Sequence, residues 1–214
     1  PFDERIVLRR ISNTIGLYMK RKQLEQTVIN QVIEKEKNNQ MMIDVLANIV
    51  EFRNGESGAH IVHIRALTTI LMYMIQRYAP QYKLDSEMIT YIKNASSLQA
   101  IGKISTPSEI LNKPGRLTDE EFAIMKKHSE EGSNILESAK GYSESKFLQV
   151  ARDICRWHHE RFDGRGYPDG LKGDEIPIGA QVVALADVYD ALVSERCYKK
   201  AFEHEVAVNM IING

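Results

Sequence analysis

From Asp3 to Phe52 the chain contains no proline and a single glycine, Gly16. So long a stretch without either breaker is hard to divide into strands and turns. Leu8, Ile11, Ile15 and Tyr18 keep 3–4 spacing, and Val28, Ile29, Val32 and Ile33 form a second apolar patch before the polar run "EKEKNNQ" at 34–40. The pattern predicts one very long helix or two in series. Its bland form is a solvated helix with one packed face. The form preferred here is a parallel coiled-coil connector with an imperfect seam, which makes the chain a homodimer.

The remainder continues in helical periods. Aromatic residues are 7%, β-branched clusters are few, and neither period-two alternation nor an internal repeat is visible, so the expected class is all-α. "FRNGESGAH" (52–60) is a break, with Asn54 or Ser57 as candidate caps for a helix that carries His60, Ile64, Leu67, Leu71 and Met74 on one stripe and ends at Pro80. A further helix is expected from Ser86 to about Ile101, followed by a loop over 103–117 with one helical turn inside. Thr118 with Glu121 is a capping box that opens a helix bearing Phe122, Met125, His128 and Ile135. Gly141 closes that unit. The next helix runs through Phe147, Val150, Ile154 and Trp157 to His158-His159. Apolar helices at 178–193 and 203–213 complete the pattern.

Bulk properties exclude several functions. The 214 residues carry a net charge of −1, which argues against nucleic-acid or membrane-surface binding. No apolar run approaches the roughly 20 residues a bilayer span needs. The mixed acids and bases at the start do not resemble a signal peptide. The two cysteines, Cys155 and Cys197, form no framework, so a reducing cytoplasmic setting is expected.

Candidate chemistry gathers where imidazoles and acids lie on inward faces. His158 and His159 are adjacent at a helix end. Asp187 sits in "VVALADVYDALV", where a buried carboxylate is costly unless paired or metal-bound. Glu56 and His60, four apart, share a helix face. His60 lies on the core stripe, and His128 on the Met125 face. Imidazole with carboxylate suits iron, manganese, zinc or nickel, and the absence of thiolates argues against a zinc finger. His63 is expected to face partly outward and to be dispensable, and His204 to be a surface residue. Cys155, three before His158, is a weak signal. "DGRGYPDG" (163–170) lacks the alternating ligands of a calcium loop and the Gly-Lys-Ser/Thr of a phosphate loop.

"HHERFDGRGYPDGLKGDEIPIGAQVVALADVYDAL" (158–192) resembles the signature of the HD-GYP family, a branch of the HD phosphohydrolases. The resemblance implies an HD-type helical bundle over residues 46–214, in which members hydrolyse cyclic di-GMP with two or three divalent ions. Residues 1–45 are similar to the end of a receiver domain with a connecting helix, Pro1-Phe2 being the remainder of a Lys-Pro-Phe turn. The implied parent is a response regulator. Matched residue by residue, Glu56, His60, His128, His158, His159 and Asp187 are the implied metal ligands. Lys103 is the lysine after the family's His-Asp doublet. Arg196, Lys199, Gly166, Tyr167 and Pro168 are implied in substrate binding. The dinucleotide is the implied ligand, and a diguanylate cyclase a partner for the Gly-Tyr-Pro loop.

One motif departs. "SSLQAIGKIS" (96–105) places Gln99-Ala100 where the family has His-Asp. The resemblance gives that Asp the bridging of two ions and that His the binding of one. Two close ions need anionic bridges to offset their repulsion. The expectation is therefore reduced metal occupancy, with one cluster of His60 and Asp187 and another of His128, His158 and His159. Three functions stay open: a weak or inactive phosphodiesterase, a non-catalytic dinucleotide sensor or partner-recruiting module, and an engineered inactive form of an active enzyme. The HDOD type also lacks the doublet, but is not expected to keep the Gly-Tyr-Pro loop.

Overall fold

The computed structural model describes residues 3–53, 58–139, 141, 144–195 and 200–213. Eight α-helices follow in order among them: α1 (Glu4–Arg53), α2 (Ala59–Tyr78), α3 (Ser86–Ala95), α4 (Ser108–Leu111), α5 (Asp119–Glu137), α6 (Lys146–Trp157), α7 (Ile178–Val193) and α8 (His204–Asn213). No strand occurs among the described residues. The chain divides into two compact units, residues 1–42 and 43–214.

The first unit is helix throughout its described length after Asp3. Most of its apolar side chains are half or more exposed, among them Leu8 at 58%, Ile15 at 57%, Tyr18 at 65% and Val32 at 62%. The expected choice between one helix and two resolves to one, because no residue after Gly16 interrupts the hydrogen-bond ladder.

In the second unit, α2, α3, α6 and α7 surround a core of Ile64, Met72, Ile89, Ile92, Ile154 and Val183. α5 lies along α6 and against a short 3-10 segment, Ile101–Ser105. Local rules account for the helix starts. Asp85 accepts from the Met88 N–H at 2.7 Å, and Ser145 caps α6 through Leu148. Thr118 and Glu121 form the expected reciprocal capping box. α2 begins at Ala59 with Gly58 at its cap; the candidate caps Asn54 and Ser57 lie outside the described residues. Two expectations are corrected. Met74 is 51% exposed, and the stripe that enters the core is Ile61, Ile64, Thr68 and Met72. The helix starting at Ser86 stops at Ala95 instead of Ile101, giving way to 3-10 turns at Ser96–Leu98 and Ile101–Ser105.

That break positions the site. Ser96 Oγ donates to the Lys93 carbonyl at 2.7 Å, a side-chain bond that competes with helix continuation. Gly102 then brings two backbones together. A β-carbon there would lie 1.8 Å from the His128 carbonyl oxygen and 2.5 Å from the Gly132 nitrogen, so only hydrogen fits. The end of α1 is fastened to the same segment. Arg53 donates to the carbonyls of Lys103 (3.4 Å), Ile104 and Thr106 (3.2 Å), while Asn112 Nδ2 donates to the Arg53 carbonyl at 3.0 Å.

Candidate metal centre and the Gly-Tyr-Pro loop

Three imidazoles converge where α5 passes the end of α6. His128 Nε2 lies 3.4 Å from His158 Nε2 and 3.2 Å from His159 Nε2. The backbone decides the tautomers. His128 Nδ1 donates to the Met125 carbonyl at 2.7 Å, and His158 Nδ1 to the carbonyls of Ile154 and Cys155 at 3.0 and 2.9 Å. A ring that donates through Nδ1 presents a lone pair at Nε2 when neutral. Burial keeps the rings neutral. It pushes His128 down to about 3, with the neighbouring His158 adding to the fall, and pushes His158 down to about 4. His159 is likewise held well below its ordinary range by burial, then by His158 and His128. Lys103 acts in the same direction on all three.

Buried neutral imidazoles with their acceptor nitrogens turned toward one another repel unless a cation lies between them. Nitrogens held 2.0–2.1 Å from a tetrahedral ion lie about 3.3 Å apart, close to the separations here. The triad therefore fits a divalent transition metal. Among the described residues, this triad is the cluster of ligating groups close enough to hold one ion.

His60 and Asp187 form a second group, His60 Nε2 lying 3.6 Å from Asp187 Oδ1. Gln99 Nε2 points at the same oxygen at 3.5 Å, long for a hydrogen bond, and Gln99 Oε1 is buried with no partner among the described residues. Ala100 is buried, 7% exposed, and offers no ligand. No carboxylate among the described residues joins the two groups into one cluster. Lys103 faces Glu51 Oε1 at 4.0 Å. Glu56, Arg196 and Lys199 lie outside the described residues.

The sequence reading missed Asp190. Asp187 was expected to be the buried carboxylate of α7; its side chain is 24% exposed, whereas that of Asp190 is 4% exposed. Asp190 Oδ2 accepts from His60 Nδ1 at 2.7 Å, and Oδ1 from His63 Nδ1 at 2.9 Å and Ser194 Oγ at 3.1 Å. Burial opposes the Asp190 charge, but the bonds from His60 and His63 outweigh it and hold the carboxyl below its usual range. His63 does face outward, with its side chain 54% exposed, yet it is part of this bond set and not idle. The signal for Asp190 was its place one turn after Asp187 in an apolar helix. His204 is exposed as expected and hydrogen-bonds Tyr189 at 2.8 Å.

The Gly-Tyr-Pro loop is pinned from beneath by Glu160, 5% exposed, whose Oε1 accepts the N–H groups of Asp169 (2.7 Å) and Gly170 (2.9 Å). Arg156 grips Asp169 through two bonds of 2.7 and 2.8 Å, and Trp157 Nε1 adds a third at 2.8 Å. A β-carbon on Gly166 would fall 2.4 Å from the Glu160 Cα, so this glycine is demanded by close approach. The fold thereby lays the Tyr167 ring on His159, centroids 4.7 Å apart and planes 28° from parallel. Pro168 follows through a cis peptide bond. Burial pushes the Tyr167 phenol up, and Asp187 adds to the rise, so it stays protonated.

Residues 40–214 match the family model described as HD domain. Two similar proteins come from Vibrio cholerae. One, described as a cyclic di-GMP phosphodiesterase, is 41% identical over 172 residues, covering 79% of this chain and 35% of that protein. The other, described as 3'3'-cGAMP-specific phosphodiesterase 2, is 41% identical over 177 residues, covering 83% and 32%. The cyclic di-GMP phosphodiesterase response regulator RpfG of Xanthomonas campestris is 37% identical over 185 residues, covering 86% and 46%. The chain thus spans 32% to 46% of the length of these relatives. A solved structure of an HDG"Y"P protein from Bdellovibrio bacteriovorus shares the fold, with a TM-score of 0.51 at 18% identity, covering 84% of this chain and 65% of that one. With the helical bundle, the imidazole triad and the pinned loop in place, these matches show that the chain belongs to the HD domain family.

Proposed function

We propose that this chain is a cyclic-dinucleotide signalling domain of the HD-GYP type, built on a phosphodiesterase scaffold, with weak or absent hydrolysis. The observation that carries the reading is Gln99 Nε2 at 3.5 Å from Asp187 Oδ1, a neutral amide beside a candidate ligand where the family has an imidazole. His128, His158 and His159 would hold one divalent ion, iron, manganese, zinc or nickel. Such an ion supplies charge to a phosphoryl oxygen and lowers the pKa of water. The chain's own residues do the rest. The triad nitrogens fix the position, Lys103 contributes positive charge beside it, and Tyr167 on His159 walls one side. Gln99 and Ala100 supply neither a bridging anion nor a second imidazole. Asp187 and His60 are left as a pair oriented by Asp190.

The supported ligand is cyclic di-GMP or a related dinucleotide, since the relatives are described as acting on cyclic di-GMP and on 3'3'-cGAMP. Glu56, Arg196 and Lys199 keep their proposed roles as ligand and phosphate contacts. A receiver ahead of α1, a homodimer through α1, a diguanylate cyclase bound at the Gly-Tyr-Pro loop and a cytoplasmic location complete the proposal. No helix among the described residues is long and apolar enough to cross a membrane.

Elemental analysis beside a turnover assay tests the central claim. At most about one ion per chain is expected, and Gln99→His with Ala100→Asp should raise metal content and cyclic di-GMP hydrolysis together, a few kcal/mol of transition-state stabilisation being a hundredfold or more in rate. Two firmly bound ions in the unchanged chain, or turnover equal to that of the double variant, overturns it. A non-catalytic sensor is the second reading, favoured by a loop held so firmly by Glu160 and Asp169 that it presents one surface. Tight binding without turnover, even in the double variant, would establish it.

A further inference from the structure

Beside the imidazole triad stands an aromatic and cationic cluster that the metal chemistry does not use. Phe122, in the first turn of α5, meets Tyr167 edge-on, ring centroids 6.2 Å apart and planes at 85°. Lys126, one turn later, carries its ammonium 5.3 Å from the Phe122 centroid and 5.9 Å from that of Tyr167. Tyr167 in turn lies on His159. The cluster is therefore continuous with the candidate metal centre through one ring.

Phe122 is not a core residue. It is 45% exposed and stands outside the bundle's apolar core. Lys126 forms no ion pair among the described residues, although acids are plentiful on α5. An exposed ring whose neighbouring cation has no anion matches a ligand with a flat base joined to a phosphodiester. The ring offers a stacking face to the base, and the ammonium, desolvated on one side by the rings, pairs with phosphate. A plain apolar cover for the loop would need neither the exposure nor the charge.

We propose that Phe122, Lys126 and Tyr167 form a nucleobase-and-phosphate subsite on the rim of the triad, with Phe122 the stacking residue and Lys126 the phosphate contact. This rests on the cyclic-dinucleotide reading above and specifies where one half of such a ligand sits.

Calorimetric titration of the metal-loaded chain with cyclic di-GMP, and separately with 3'3'-cGAMP, tests it. Phe122→Ala should weaken binding about five- to a hundredfold. Phe122→Leu, which keeps apolar cover without a π-face, should lose most of the same affinity. Lys126→Met should weaken binding and flatten its salt dependence. If Phe122→Leu binds like the unchanged chain, the ring is only cover and the subsite is wrong. The same conclusion follows if the chain binds dinucleotide and Phe122→Ala and Lys126→Met do so equally well, while the proposed function stands. A chain that binds neither dinucleotide overturns the proposed function and the subsite with it. Thermal melts of each variant identify any loss due to misfolding, and Lys126→Met, a change on a partly exposed side chain, carries the test if Phe122→Ala does not fold.

Discussion

His60 Nδ1 donates to Asp190 Oδ2 at 2.7 Å, and that bond turns the other ring nitrogen toward Asp187. A carboxylate behind an imidazole fixes both its tautomer and its orientation. Asp190→Ala removes the acceptor for His60, His63 and Ser194 from a site only 3% exposed. The expected loss is about 2–3 kcal/mol of unfolding free energy, as for buried donors left unsatisfied. Asp190→Asn, which keeps one acceptor oxygen, should lose less. Urea unfolding of both variants checks the order, and equal stability of Asp190→Ala with the unchanged chain contradicts it.

The triad predicts a direction for acid sensitivity. An unfolded histidine titrates near 6.5, whereas burial holds His128 near 3 and His158 near 4 in the fold. Between those values the unfolded chain binds more protons, so stability rises with pH. The contribution is full above about pH 6.5 and is lost as pH falls toward 4. In chelator-treated protein each histidine adds a slope of up to about 1.4 kcal/mol per pH unit. Urea midpoints measured from pH 7 to pH 5 should fall steadily. A flat profile would show that these rings are not buried as bases.

Metal binding should appear as stability. An ion held only by the folded triad stabilises by about 2.7 kcal/mol when present at a hundredfold its dissociation constant. Adding zinc to the chelator-treated chain should raise the melting temperature, and His128→Ala should abolish the rise. A rise that survives in His128→Ala places the ion elsewhere.

Glu160 should govern the loop. Its Oε1 takes both the Asp169 and Gly170 amides, so Glu160→Ala leaves two N–H groups without their acceptor. Hydrogen exchange at those amides should speed up at least tenfold, with little change at the capped start of α5. Unchanged protection would mean that Arg156 and Trp157, through Asp169, suffice to hold the loop.

Arg53→Lys should be destabilising despite its conserved charge. The guanidinium spans carbonyls of Lys103, Ile104 and Thr106 and the Ser108 hydroxyl, which one ammonium cannot reach together. A loss of about 1 kcal/mol is expected in denaturant unfolding, and no loss would show those bonds to be exchangeable with water.

Much of this was legible in the residues. The capping box at Thr118 and the boundaries of α7 follow from local chemistry and periodicity, which act within a few residues. The convergence of His128 with His158 and His159 was legible through the family signature, not through spacing, since 30 residues separate them. What stayed hidden was set by distant partners. Asp190 outranks Asp187 in burial because His60 and His63 arrive from α2, and no pattern within α7 records that. The early end of α3 reflects a serine bonding back to the chain and the need to bring Gly102 against α5, a backbone contact with no hydrophobic signature. The exposed seam of α1 carries the periodicity of a packed helix, but periodicity names no partner.

Gly102 also limits how a lineage carrying this fold can change. The wall between the 3-10 segment and α5 is backbone against backbone, with the His128 carbonyl 1.8 Å from where any β-carbon would sit. The side chains at 99 and 100 are not part of that backbone contact, so the wall that aims His128 does not itself dictate their identity. At position 102 no such latitude exists: one added methyl group would displace an element that carries a triad imidazole. Side-chain chemistry at 99 and 100 and backbone approach at 102 are thus separate constraints, two residues apart in the chain.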